Sequence, residues 1–150
     1  MSILDEFQAI VGELSADISD RTLETLLNGM SLAFRISESG IGKILGLDGY
    51  SRNIEKPFSA VYVFCNEDEE VEATARFQNG EMLVFDDGAK QWDLKVSFKD
   101  VRAFWKFILS GGDDIVDSIL ANDVEVYGNV NYLHKFGFMA KDLIKRLGLA

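Results

Sequence analysis

Apolar residues follow two different periods along this chain. Leu4, Phe7, Ile10, Val11 and Leu14 fall at helical spacing, and Leu23, Leu26, Leu27 and Met30 repeat it behind a Ser19 or Asp20 cap, which predicts two amphipathic helices. Leu32, Phe34 and Ile36 then alternate, as a short strand would. Gly40, Gly42, Gly46 and Gly49 break up the apolar residues from 37 to 56 and leave that stretch without a clear element.

After Pro57 the period is two. Phe58, Ala60, Tyr62 and Phe64 alternate with Ser59, Val61, Val63 and Cys65, predicting a first strand. The runs Val71 to Phe77 and Glu81 to Phe85 flank Asn79-Gly80, a pair suited to the positive φ angles of a two-residue hairpin turn. That turn sets a register in which Phe77 faces Met82 and Ala75 faces Val84 on one side, with Arg76 facing Leu83 and Thr74 facing Phe85 on the other. A turn at Asp86-Asp87-Gly88 leads to a further strand marked by Trp92, Leu94, Val96 and Phe98.

Helical spacing then returns. Ser97 and Asp100 form a start resembling a capping box, Val101, Phe104, Trp105, Ile108 and Leu109 make one stripe, and Gly111-Gly112 ends it. Asp113 or Asp114 caps a short helix carrying Ile115, Val116, Ile119 and Leu120, and residues 124 to 128 read as a brief strand. Asn129 caps a last helix with Leu133, Phe136, Ala140, Leu143, Ile144 and Leu147 on one face and Lys135, Lys141, Asp142, Lys145 and Arg146 largely opposite. The layout is α+β, a meandering sheet with helices gathered on one face.

With 150 residues, of which 47% are hydrophobic, the chain has room for one domain with a real core. A net charge of −10 argues against a nucleic-acid binder and disfavours anionic membrane surfaces. A lone cysteine, Cys65, forbids an internal disulfide and an all-cysteine metal site. The first residues lack the basic start and unbroken apolar stretch of a signal peptide, and charges interrupt every apolar run before it reaches membrane-spanning length, so the expected location is the cytoplasm, without stable membrane insertion.

Catalytic patterns are scarce. Gly29-Met30-Ser31-Leu32-Ala33 approaches a hydrolase nucleophile elbow and the sole histidine, His134, follows it, but the last glycine and a preceding strand are missing. His134 has no second histidine or cysteine pair to join it as a metal ligand. Gly40-Ile41-Gly42-Lys43 spells neither phosphate-loop pattern, and the acidic runs Glu67 to Glu70, Asp86-Asp87 and Asp113-Asp114 match no calcium loop. No catalytic residue, metal or cofactor is expected. The aromatic residues of the late helices, set against the small Ala73 and Ala75, fit either an ordinary core of large and small residues or a cavity for an apolar ligand.

The order of these phrases resembles the sterol carrier protein 2 (SCP-2) family from about Pro57 to Leu147. The resemblance rests on the Phe58 to Phe64 strand, Glu72-Ala73-Thr74 leading to Asn79-Gly80, Asp93-Leu94-Lys95-Val96 before a capped helix closed by Gly111, and Val124 to Asn129 before an apolar helix. It implies a five-stranded, mostly antiparallel sheet covered on one face by helices, with a lipid-like molecule between the layers: a fatty acid, acyl-CoA, sterol or isoprenoid. The lining expected on this reading is Ala73, Ala75, Phe77, Met82 and Val84 from the sheet, with Phe104, Trp105, Ile108, Leu133, Phe136 and Met139 from the helices. Asn122-Asp123 replace a Gly-Lys pair common in the family. Residues 1–56 exceed the family's single N-terminal helix, and are the candidate lid, homodimer interface or protein-partner surface. The alternative is an interaction or accessory protein of lipid or quinone metabolism whose core is filled.

Overall fold

The computed structural model describes residues 5–6, 8–9, 22–37, 50, 58–67, 72–78, 81–110 and 115–146; for residues 22, 24, 36, 101, 105, 109 and 110 only the backbone is considered. Helix α1 spans Thr22–Ser37, followed by strands β1 (Ala60–Asn66), β2 (Glu72–Gln78), β3 (Glu81–Phe85) and β4 (Leu94–Phe98). Helices α2 (Val101–Ser110) and α3 (Ile115–Leu120), strand β5 (Val124–Gly128) and helix α4 (Val130–Arg146) complete the order.

The five strands form one sheet in the order β3-β2-β1-β4-β5. All pairs are antiparallel except β1 with β4. The β2–β3 register is Phe77 opposite Met82, Ala75 opposite Val84, Arg76 opposite Leu83 and Thr74 opposite Phe85, as the Asn79-Gly80 spacing predicts; the turn residues themselves lie outside the described part. Central strand β1 is apolar at almost every position because both of its faces are covered: Tyr62 and Phe64 on one, Val63 and Cys65 on the other, are all buried.

The parallel pairing requires the chain to cross from β3, at one edge, over β2 and β1. It crosses on the face away from the helices. There Thr74, on β2, anchors the connection: its Oγ1 donates to the carbonyl of Asp87 (2.7 Å) and accepts from the amide of Ala89 (3.0 Å). The amide of Val61 donates to Asp93 Oδ2 (2.7 Å), and the amide of Asp93 donates to the Val61 carbonyl (2.9 Å). These bonds satisfy backbone groups at the start of β4 that would otherwise be unpaired.

Four local expectations change. Leu32, Phe34 and Ile36 belong to α1, because the helix runs to Ser37 and is buried around most of its circumference: Leu26, Leu27, Met30, Leu32, Ala33 and Phe34 are all inside. Among the described side chains only Asn28 and Arg35, seven residues apart, are exposed, so the polar side that marks the helical period is narrow. The cap of α2 is Asp100 alone: Oδ1 accepts from the Ala103 amide (2.8 Å), while Ser97 is part of β4. β1 and β4 start at Ala60 and Leu94, after Phe58 and Trp92. On α3, Ile115 and Ile119 pack inward, whereas Val116 and Leu120 are exposed. The expected helix at residues 4–14 is described only at Asp5, Glu6, Gln8 and Ala9, which are helical. Its apolar face, the Ser19/Asp20 cap, Gly111-Gly112, Asp113-Asp114 and Leu147 fall outside the described residues.

Two caps account for the late part of the chain. Asn122 has φ 61°, the left-handed conformation that ends α3. Its amide bonds to the Ile119 carbonyl (3.1 Å) and the Asp123 amide to the Ser118 carbonyl (2.9 Å), the pair of bonds found when a glycine closes a helix. Asparagine is among the few side chains that tolerate that conformation, so Asn122 does here what a glycine would. Asn129 Oδ1 accepts from the Asn131 amide (2.9 Å) and starts α4 as expected.

Candidate functional site

One face of the sheet carries small residues beside large ones. Pairing places Ala75 between Tyr62 and Val84, and Ala73 beside Phe64, with Phe77 between Ala60 and Met82. β4 continues the same face with Leu94 beside Tyr62 and Val96 beside Phe64. The helices close over it. α1 packs on β3 and β2 and touches α4, while α2 packs against α4. Ser31 Oγ ties α1 to the edge strand by donating to the Met82 carbonyl at 2.6 Å. Ser31 lies within α1 and is bonded to the sheet edge, not on the strand-to-helix turn of a nucleophile elbow.

Between sheet and helices the aromatic rings form one continuous series. From Tyr50 it passes to Phe34 (5.6 Å between ring centres), Phe77 (5.7 Å), Tyr62 (5.5 Å), Phe136 (5.4 Å) and Phe64 (4.6 Å). Phe98 follows at 6.5 Å from Phe64 and meets Phe104 at 5.2 Å and Phe107 at 5.8 Å. Most of these pairs are tilted or edge-to-face, the arrangement aromatic quadrupoles favour, worth about 0.5–1.5 kcal/mol per pair beyond area burial. Phe58 lies against Phe77 and Tyr132, and Lys135 Nζ sits 4.5 Å over the Phe58 ring. A cation there keeps its charge near water while its stem covers the ring.

The structure brings the expected lining residues together. Ala73, Ala75, Phe77, Met82, Phe104, Ile108, Leu133, Phe136 and Met139 all belong to one buried cluster, with Val84 packed against it; the side chain of Trp105 lies outside the described part. Sequence reasoning omitted Leu26, Leu27, Met30 and Phe34 of α1, together with Tyr50, Tyr62, Phe64 and Phe98, from the same layer. The signal for Tyr62, Phe64 and Phe98 was present in the alternation of their own strands, from which no lining residue was named. Tyr50 stands alone among glycines and carries no periodic signal.

The layer is dry. Ala75, Ile108 and Leu133 are 0% exposed and Phe136 1%. Burial pushes the phenols of Tyr50 and Tyr62 above their ordinary value, so both stay neutral. Among the described residues no group of three His, Cys, Asp or Glu side chains could hold a metal ion, and no helix is long and apolar enough to cross a membrane. His134 is exposed on α4.

No protein-family model matches the chain, and no curated protein matches it in sequence. Solved structures do. A ubiquinone synthesis protein, UbiJ-SCP2, is similar with a TM-score of 0.53 at 17% identity, over 81% of this chain and 87% of that one. A Thermus thermophilus protein described as possibly a sterol carrier protein aligns at 0.48 and 12% identity, covering 89% and 88% of the two chains. Sterol carrier protein 2 of Yarrowia lipolytica aligns at 0.46 and 16%, covering 76% and 91%. The chain has an SCP-2-like fold, α+β with a five-stranded mixed sheet. The similarity spans more of the chain than the part from Pro57 onward can supply, so it includes residues on the N-terminal side of Pro57.

Proposed function

We propose that this chain, through its SCP-2-like fold, is a non-enzymatic binding protein for a lipid-like molecule of fatty-acid, acyl-CoA, sterol or isoprenoid type. The molecule lies between the sheet and α1, α2 and α4, among the residues from Ala73 to Met139 named above, with Trp105 as a further contact. The observation that supports this reading is the continuous buried aromatic layer on one sheet face, bounded by helices. Affinity comes from removing apolar surface from water at ~25 cal/mol per Å², with no covalent step. The name of the ubiquinone synthesis protein with the same fold supports a ligand or a role in quinone metabolism. The net charge of −10 favours exchange with partners in solution, in the cytoplasm, over docking to an anionic bilayer. Residues 1–56 are the candidate contact with a second copy or another protein.

A second reading draws on the same burial figures. Side chains that exclude water so fully also suit a filled core, in an accessory protein that works through its surface. Titration with the fluorescent fatty acid parinaric acid, then displacement by palmitate, palmitoyl-CoA, cholesterol or decylubiquinone, separates the two. Saturable one-to-one binding with a Kd on the order of 1–10 µM is expected from the ligand's size. No saturable binding of the probe or any competitor would leave the accessory reading standing.

A further inference from the structure

The apolar layer contains one polar atom that its surroundings leave unsatisfied. Tyr50 is 0% exposed and belongs to the buried cluster, its ring held edge-on against Phe34 of α1. Among the described residues its hydroxyl is the buried side-chain polar atom with no hydrogen-bond partner. Buried hydroxyls are nearly always paired, since leaving one unpaired forfeits its hydration for nothing. A phenylalanine would fill the same space without that cost.

The surroundings indicate what the hydroxyl is suited to meet. Asp142 and Arg146, one turn apart on α4, are close enough to act on it electrostatically. They are bonded to each other, Arg146 Nε to Asp142 Oδ2 at 2.8 Å, and their side chains remain 30% and 24% exposed. Tyr50 therefore stands where the apolar layer meets a half-buried polar rim. A carboxylate placed there would be stripped of water and would meet Asp142, whose effect at this position exceeds the opposing one of Arg146, while a neutral oxygen would need only a donor. Resting on the apolar-ligand reading above, we propose that the Tyr50 hydroxyl anchors the ligand by donating a hydrogen bond to a neutral carbonyl or hydroxyl oxygen at one end of an otherwise apolar body.

The test uses the full chain and three probes with the same decyl-aryl body: decylbenzoquinone, decylbenzene and decylbenzoate. Each is titrated against the wild type and Tyr50→Phe, beside thermal unfolding without ligand. The variant is expected to bind decylbenzoquinone about 5–10-fold more weakly and decylbenzene unchanged, with decylbenzoate weakest of the three for the wild type. Its ligand-free unfolding midpoint should equal or exceed that of the wild type, because an unpaired buried hydroxyl has been removed. Equal quinone affinity in the two proteins, tighter binding of the benzoate than the quinone, or a lowered ligand-free midpoint would overturn the anchor while the binding reading stands. Failure of all three probes to bind the wild type would reject that reading and the anchor with it.

Discussion

Phe136→Ala is expected to destabilise the protein by about 3–5 kcal/mol in denaturant unfolding, the usual cost of emptying a buried aromatic site. Phe136 is 1% exposed and its ring meets Phe64 at 4.6 Å and Tyr62 at 5.4 Å, so it links α4 to both core-facing rings of β1. None of its neighbours can follow it into the gap. Tyr62 and Phe64 are fixed to the sheet by β1 pairing on both sides, and Leu133 and Ala140 by the helix. The denaturant slope should stay near that of the wild type, since the unfolded surface hardly changes. An apolar probe that binds the layer should restore part of the loss, because any ligand that prefers the folded state raises its stability in proportion to the logarithm of its concentration over Kd. A loss below about 1 kcal/mol would show that the helix and sheet do not pack through this ring.

Gly128→Ala should cost about 2–4 kcal/mol, combining backbone strain with a steric clash. Gly128 ends β5 with φ 111°, a conformation that L side chains rarely adopt. A Cβ there would also run into the backbone carbonyl of Asp93, just before the neighbouring strand β4, which cannot move without disturbing the Asp93–Val61 bonds that precede it. The change affects the last strand pair and the start of α4 through Asn129. Thermal unfolding would contradict this account if the variant matched the wild type.

These two sites mark the extremes of what the sequence made legible. The β2–β3 hairpin was readable residue by residue because Asn79-Gly80 allows one tight turn, and a shift of one position would turn Ala75 and Phe77 to the opposite face. The inward face of α4 was readable because its apolar and charged residues separate cleanly. The position of β4 beside β1 was not. It depends on where the crossover from β3 is pinned, and the anchor is the hydroxyl of Thr74, a residue that looks like any other outward position of a strand. α1 was misread at its end for a related reason: a helix packed on β3, β2 and α4 keeps only a narrow polar side, Asn28 and Arg35, to distinguish it from a short alternating strand. The candidate site followed the same division. The residues that were found all had periodic neighbours, whereas Tyr50, between Gly49 and Ser51 in a stretch without a period, could be recognised only from its unpaired hydroxyl in three dimensions.

The central claim is that the layer between sheet and helices holds an apolar molecule. Native mass spectrometry of the intact chain, purified without detergent and compared before and after organic extraction, addresses it most directly. The account predicts one lipid-sized adduct per chain that extraction removes and that a fatty acid, sterol or isoprenoid quinone restores at one-to-one stoichiometry. The bare chain mass throughout, with no uptake of any of the three, would contradict it.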